Sequence, residues 1–349
     1  VVAGIPAALL AAGINSSLEP MGTQLTGGYS MDPFMRGRQY YYGFTLGSSY
    51  KISDNLSVYG GLRMLYGTAN YYGYVKNISL QQSTGGQLSM TAAPAFFGSL
   101  AASLNQAAGM YEAAGLDDKA AEARAQAAQM TGYAMMTQDI ELNCDQSGWG
   151  VAPIIGVDFK AGRLNLAAKY EFKTRMRLKN KSANSLSAEN ISMLDKYADG
   201  RKVAEDSPAL LTVGAQYEVL PSLRVMAGYH RYFDTDTEQY TRDMLGDTNE
   251  YLFGAEYDIN RYIQVSAGAQ RTCYDFNDKA MNDISYNVSS WSYGLGVGVN
   301  VTDKVKINAA WFQTLYGDYD KVQASASMKI SDSFTRSNRV IGLGVDIKL

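Results

Sequence analysis

The feature that most constrains this chain is the alternation in residues 156–178, GVDFKAGRLNLAAKYEFKTRMRL. One set of alternate residues suits an apolar medium: Leu164, Leu166, Ala168, Tyr170 and Phe172. The residues between them are mostly polar: Asn165, Ala167, Lys169, Glu171 and Lys173. A side-chain period of two over this length predicts a strand and not a helix. Together with the preceding run it predicts an amphipathic hairpin with a tight turn.

The same unit recurs to the C-terminus. The predicted hairpins pair 41–52 with 56–73, 149–160 with 163–178, 208–219 with 223–234, 249–259 with 261–274 and 290–301 with 304–316, while 338–349 is an unpaired strand. These strands are longer than the roughly five or six residues that are typical of a strand in a soluble protein. Short turns at one end and long polar loops at the other (180–206, 235–247, 276–288 and 317–336) are typical of outer-membrane barrels.

Composition agrees with a barrel once a membrane helix is excluded. The mean hydropathy is −0.21, and no apolar run approaches the roughly 20 residues that a membrane helix needs. The 26 Tyr against 11 Phe suit the aromatic girdles of a β-barrel. The net charge of −3 gives a nucleic-acid partner no electrostatic support. The sequence predicts an all-β, transmembrane antiparallel meander barrel of about eleven strands in a bacterial outer membrane.

The whole chain, residues 1–349, is expected to form one domain. Residues 1–40 are interpreted as a helix and irregular chain from an extracellular loop, and residues 76–147 as a helical extracellular loop with two helices broken at Gly109 and Gly115. An odd number of strands is unusual for a single-chain bacterial barrel. The first strands are therefore expected to precede Val1, which has neither an initiator Met nor a basic flank before it.

The order and spacing of these segments resemble the FadL-like long-chain fatty-acid transporter family. The segments that carry the resemblance are LSVYGGLRMLYGTANYYGY before a long helical loop, SGWGVAPIIGVDFKAGRLNLAAKYEFKTRMRLKN, SPALLTVGAQYEVLPSLRVMAGYHRYFD and the final VIGLGVDIKL. The resemblance implies a barrel of 14 strands, of which three and an N-terminal plug would precede Val1. It also implies passive uptake of a hydrophobic or amphipathic small molecule or lipid, such as a long-chain fatty acid, by a monomeric barrel without a cofactor.

Candidate ligand-binding residues lie on the predicted lumen face. Arg63, Lys169 or Lys173 would meet an anionic head group, while Leu65, Met226 and Phe312 would line an apolar path. Glycines keep part of this wall open: Gly294, Gly296, Gly298, Gly342 and Gly344. The alternative is that the charges only neutralise one another in ion pairs that also include Glu171, Glu218, Arg224, Glu256 and Lys306. The sequence leaves both interpretations open.

An apolar stripe in the helical loop suggests a cap over the barrel mouth. It consists of Phe96, Phe97, Leu100 and Leu104, which would pack on the barrel or form a ligand groove. The alternative function for long loops is to hold a protein partner, as in a docking or shuttle barrel of a surface or secretion assembly.

Catalysis and metal binding have little support. The single histidine, His230, has no Ser or Cys at a spacing that would make a nucleophile, so we expect no enzyme activity. The Asp-rich loop 232–243 could hold a hard cation but is more simply a solvated loop, and no metal site is expected. Cys144 and Cys273 fall near loop-side strand ends, where a disulfide is conceivable.

Overall fold

The computed structural model describes residues 25–84, 87–185, 192–239, 244–278, 281, 287–324 and 329–347. The first half contains β1 (Leu25–Lys51), β2 (Leu56–Thr84), β3 (Gln87–Ala92), α1 (Ala93–Ala113), α2 (Asp117–Met136), β4 (Ile140–Ala161), β5 (Leu164–Glu171), β6 (Arg177–Ser182), a 3-10 helix (Ser192–Tyr197) and β7 (Lys202–Ala204). The second half contains β8 (Ala209–Leu220), β9 (Leu223–Phe233), a 3-10 helix (Asp234–Asp236), β10 (Thr248–Asp258), β11 (Ile263–Cys273), β12 (Ser290–Asn300), β13 (Val305–Tyr316), β14 (Tyr319–Ala324), β15 (Lys329–Phe334) and β16 (Ser337–Ile347).

Eleven of these strands follow one another in an antiparallel meander. Their order is β1-β2-β4-β5-β8-β9-β10-β11-β12-β13-β16, and β3, β6 and β7 extend this sheet to 14 strands. The eleven correspond in order to the strands predicted from the sequence, which confirms the meander, while the bounds of several strands differ. β1 and β16 lie at the two ends of the path and run in the same direction, because ten reversals separate them. They cannot pair with each other in an antiparallel ladder.

One face of the sheet carries an apolar belt. Large apolar side chains there are open to the surroundings, such as Leu46, Ile341 and Leu343, each about four-fifths exposed. On β4 the belt runs from Phe159 near the short turns to Trp149, ten residues away. At about 3.3 Å per residue and a strand tilt of about 40°, this spans about 25 Å, the height of the apolar band of an outer-membrane barrel. This outer face therefore fits hydrocarbon and not water.

The opposite, inner face is polar at both ends and small in the middle. Register places Glu250 beside His230 and Glu256 beside Arg224, and Gly254 lies between the two carboxylates on β10. Charged side chains are tolerated there only when they are wet or paired. On β5, Leu164, Leu166, Ala168 and Tyr170 share the outer face and Lys169 lies on the inner face, as the alternation predicted.

The first hairpin is longer than predicted. Residues 25–40, expected to be irregular, belong to β1 and pair with β2, including Pro33 opposite Val75. A proline is tolerated there because β1 is the edge of the strand path. β2 likewise continues to Thr84, and β4 begins at Ile140, inside the segment predicted to be a loop. The predicted helix in residues 1–24 lies outside the described residues.

The two predicted helices are present and form a hairpin. They are separated at Gly115, whose φ of +70° favours glycine, while Gly109 lies inside α1 and does not break it. A glycine inside a helix costs only about 1 kcal/mol, which packing of the helix can offset. No helix among the described residues is long and apolar enough to cross a membrane.

Candidate ligand-binding site

The inner wall of β9 to β13 holds a cavity of about 680 Å³. We call it the inner trough. Its floor is a row of glycines from three neighbouring strands, Gly254, Gly268 and Gly294, which the strand registers place side by side. Met226 and Phe312 stand at the two sides of this row. The result is a shallow apolar recess that a hydrophobic ligand of small or medium size could occupy.

The side walls of the inner trough depend on the glycines. A Cβ on Gly294 would lie 3.6 Å from Phe312 Cδ2, and one on Gly254 would lie 3.0 Å from Met226 Cγ. Both large side chains therefore lean over a neighbouring strand that has no side chain to resist them. Met226 and Phe312, predicted as path residues, are brought together here, and so are Gly294 and Gly296.

A hydrogen-bonded network closes the end of the inner trough toward the long loops. Glu250 is its centre: its carboxylate accepts from Gln270 at 2.8 Å and Thr272 at 3.0 Å, and lies 3.0 Å from His230 Nδ1. Tyr232 adds a longer contact of 3.4 Å. Because these hydrogen bonds satisfy the Glu250 carboxylate, no strong cation is needed beside it on the inner face.

A second network lies toward the short turns. Arg224 bonds to Asp258 at 2.9 Å and more loosely to Glu256 at 3.4 Å. Asp258 also accepts from Gln264 at 2.7 Å, and Gln264 in turn accepts from Lys306 at 2.6 Å. The inner trough thus lies between two polar belts on the wall.

The predicted anion-binding residues form a separate cluster on β2 and β5. Arg63 and Lys169 both bond to the carboxylate of Glu171, at 2.5 Å and 2.6 Å. Glu171 is buried, while the two cations are partly exposed. This is the ion-pair alternative that the sequence left open, although one positive charge remains in excess.

Lys173 and Leu65 do not join this cluster. The predicted strand 163–178 is interrupted after Glu171, so Lys173 lies beyond β5 and its Nζ donates to the Asp236 carbonyl at 2.6 Å. The prediction that residues 163–178 form one continuous strand was therefore wrong. Leu65 lies on the inner face of β2, where it covers Gly43 of β1.

The four residues predicted to cap the barrel pack within the helical hairpin. Phe97 is fully buried among Ile78 and Leu80 of β2 and Met130 of α2. Phe96, Leu100 and Leu104 pack against the same cluster. None of the four lines the inner trough, and their packing holds the hairpin on β2.

Sequence reasoning missed an inward segment, residues 172–185 and 192–208, which we call the inner strap. Residues 172–178 of this segment were predicted to continue the strand 163–178, and residues 180–206 to form a long polar loop. A Cβ on Gly148 or Gly150 of β4 would lie 2.3 Å or 2.4 Å from a carbonyl oxygen of the strap. The strap backbone at Arg175 and Arg177 therefore lies directly on the inner face of β4, and Lys179 to Ser182 then pair with β4 in an antiparallel ladder. The sequence feature that could have indicated this close approach is a group of three inner-face glycines on the paired strands β2 and β4: Gly67, Gly148 and Gly150.

Buried polar contacts hold the inner strap in place. The Asp206 carboxylate accepts from the Met176 amide at 3.0 Å, the Arg177 guanidinium at 2.9 Å and the Glu238 amide at 3.2 Å. Its side chain is fully buried. The strap therefore bridges from β4 to the loop after β9.

The other attachment of the inner strap is to β1. Tyr41 donates to the Glu205 carboxylate at 3.3 Å. Burial raises the pKa of the Glu205 carboxyl, and hydrogen bonds from Tyr41 and Gln39 oppose this rise. Because burial raises the folded-state pKa, the contribution of Glu205 to stability is present at low pH and is lost as the pH rises through that pKa and a charged carboxylate has to stay buried.

Other candidate chemistry is limited. Cys144 and Cys273 are both free thiols, so the conceivable disulfide is absent. Among the described residues, no three His, Cys, Asp or Glu side chains are grouped to hold a metal. Part of the Asp-rich loop, residues 240–243, lies outside those residues.

Comparison with solved structures identifies the same fold. A Pseudomonas aeruginosa FadL homologue matches 89% of this chain and 68% of its own, with 12% identity and a TM-score of 0.58. A deletion mutant of the monoaromatic hydrocarbon channel TodX matches 90% of this chain and 71% of its own, with 14% identity and a TM-score of 0.50. No curated protein matches. The likeness shows a FadL-like barrel fold.

A sequence profile of a protein family agrees with the fold. The profile for the outer membrane protein beta-barrel domain matches residues 166–348, more than half of the chain. Those residues include the strands β8 to β13 and the inner trough. The chain therefore belongs to the outer-membrane β-barrel domain family.

Proposed function

We propose that this barrel is a passive outer-membrane path for hydrophobic small molecules and not an enzyme. The observation that carries the proposal is the inner trough, an apolar recess between two polar belts of the wall. Hydrophobic ligands gain free energy from leaving water, and a preformed recess lowers the ordering cost of binding them. The TodX channel of similar fold is named for monoaromatic hydrocarbons, which supports a hydrophobic ligand here.

The proposed route begins at the long-loop end. A molecule would pass the inner strap, rest in the inner trough and leave toward the short turns or through the wall. Passive flow needs no energy source, and the direction follows the concentration gradient. Long-chain fatty acids remain one ligand class within this proposal.

Filling the inner trough is expected to weaken the binding of a hydrophobic ligand. Gly294→Leu places a branched side chain on the floor, and the 3.6 Å between its Cβ position and Phe312 leaves the backbone unstrained. We expect at least about a tenfold loss of affinity for the neutral fluorescent hydrophobe N-phenyl-1-naphthylamine, because the ligand volume is lost. The measurement is fluorescence titration of the protein in zwitterionic nanodiscs.

Gly156→Leu is the matched control for that variant. Gly156 faces the same interior on β4, and its Cβ would lie 3.4 Å from the nearest atom, the Ala168 carbonyl oxygen. The affinity of the Gly156→Leu variant for N-phenyl-1-naphthylamine should match that of the unaltered protein. The absence of binding to the unaltered protein, or equal loss in both variants, contradicts the proposed function.

Partner docking is a second candidate function with its own observation. The β1–β2 hairpin continues beyond the apolar belt from Arg38 to Leu25, on the order of 40 Å of strand. It carries the helical hairpin and the exposed Tyr29, Phe34 and Met35. A stoichiometric partner recovered from native membranes, together with no binding in the titration above, would favour docking.

A further inference from the structure

The two ends of the inner trough differ in their remaining hydrogen-bonding capacity. Toward the long loops the polar groups satisfy one another: Gln270 donates to Glu250 and Thr272, and Ser292 bonds to Thr314 at 2.9 Å. A ligand gains little by placing a polar group there, because it would have to displace an existing bond.

The end toward the short turns has acceptors to spare. Glu256 and Ser266 lie opposite each other in the β10–β11 register, and both line the inner trough. Among the described residues, Glu256 has one charged partner, Arg224, at the long distance of 3.4 Å. Arg224 is held more closely by Asp258, at 2.9 Å. The Glu256 carboxylate and the Ser266 hydroxyl therefore face the recess with unused acceptor lone pairs.

The net charge of the wall around the recess is negative. On the inner face of β8 to β13 the carboxylates are Glu218, Glu250, Glu256 and Asp258, against the cations Arg224 and Lys306. A ligand carboxylate entering this part of the wall would be desolvated next to like charges. A ligand cation would be attracted by this charge. It would also donate hydrogen bonds to the unused acceptors of Glu256 and Ser266.

We propose that the inner trough takes a hydrophobic amine, with its ammonium group between Glu256 and Ser266 and its apolar body over the glycine floor between Met226 and Phe312. This inference rests on the proposed function and names the ligand class of that site. An alcohol of the same length binds less tightly, because it donates one hydrogen bond and carries no charge. A carboxylate binds least.

The test compares three ligands with the same chain: decylamine, 1-decanol and decanoate, at pH 8 in zwitterionic nanodiscs. Each displaces N-phenyl-1-naphthylamine from the protein. Decylamine should bind at least about tenfold more tightly than decanoate, the effect of one charge-assisted hydrogen bond. In Glu256→Gln the decylamine affinity should fall about tenfold while that of 1-decanol changes less than about twofold.

Glu218→Gln controls for the change in net charge. It removes a carboxylate from the same face of β8, two strands away from Glu256 and outside the inner trough. It should leave the preference for decylamine within about twofold. Decanoate binding as tightly as decylamine, or the same loss in both variants, overturns this inference. If 1-decanol and the fluorescent probe also fail to bind, it is the proposed function that fails.

Discussion

Gly150→Ala is expected to lift the inner strap from the barrel wall. The new Cβ would lie 2.4 Å from the Arg175 carbonyl oxygen and 2.7 Å from Thr174 Cγ2, so the backbone of the strap has to move. Overpacking of this kind costs about 1–3 kcal/mol, which raises the open population of the strap about five- to 150-fold. Trypsin cleavage at Arg175 and Arg177 should accelerate by that factor.

Gly156→Ala is the matched control. It adds the same methyl group to the same face of β4, where the nearest atoms are 3.4 Å and 3.5 Å away. Its cleavage rate should stay within about twofold of the unaltered protein. Both variants should keep the gel-mobility shift on heating that marks an intact barrel. Equal cleavage of the two would mean that the strap does not rest on β4. If the strap limits entry, Gly150→Ala should also raise single-channel conductance in planar bilayers.

The alternation of residues predicted the strands because the membrane and the lumen act on each residue locally. Every second side chain on β5 or β16 faces lipid, and only apolar groups are cheap there. The alternation of apolar and polar residues ends where the apolar belt of the outer face ends. Above it both faces of β1 meet water, so residues 25–40 carry no alternation and were interpreted as irregular chain. Their pairing with β2 depends on a distant partner.

The inner trough could be predicted only in part. Gly294 and Gly296 lie in a strand with a strict glycine repeat, which indicated an open wall. Gly254 and Gly268 each stand as the only glycine of β10 or β11, and only the strand register places them beside Gly294. Met226 and Phe312 were named from their alternation, but their approach across the glycine floor is a property of the sheet.

The inner strap could not be predicted from its own residues. Its sequence is polar and resembles a solvated loop, and its position depends on contacts between distant segments, Asp206 with Glu238 and Glu205 with Tyr41. The informative residues were on its partner strands. Gly67 pairs with Gly148, and Gly150 follows two positions along β4. Small residues clustered on an inner face indicate that another backbone approaches closely.

Glu171→Gln is expected to turn the cluster on β2 and β5 into an anion-binding site. In the native protein one buried carboxylate neutralises Arg63 and Lys169 in part. Without it, both cations lie on the inner wall with no strong counter-ion, and removal of a paired buried charge is destabilising. Since the cations are partly exposed, we expect a loss of about 1–3 kcal/mol in stability. Decanoate, titrated directly by isothermal titration calorimetry, should bind about tenfold more tightly than to the unaltered protein.

Two further variants decide what the native cluster does. Glu112→Gln removes the exposed partner of Arg124 on the helical hairpin and makes the same change in net charge far from the wall, so it should leave decanoate affinity unchanged. Arg63→Gln in the native background distinguishes the two interpretations. If Arg63 and Lys169 serve only as ion pairs, decanoate affinity stays the same, because Glu171 already occupies both cations. If that affinity falls instead, the cluster already holds a ligand carboxylate, and Glu171 is a gate that the anion displaces rather than a permanent partner.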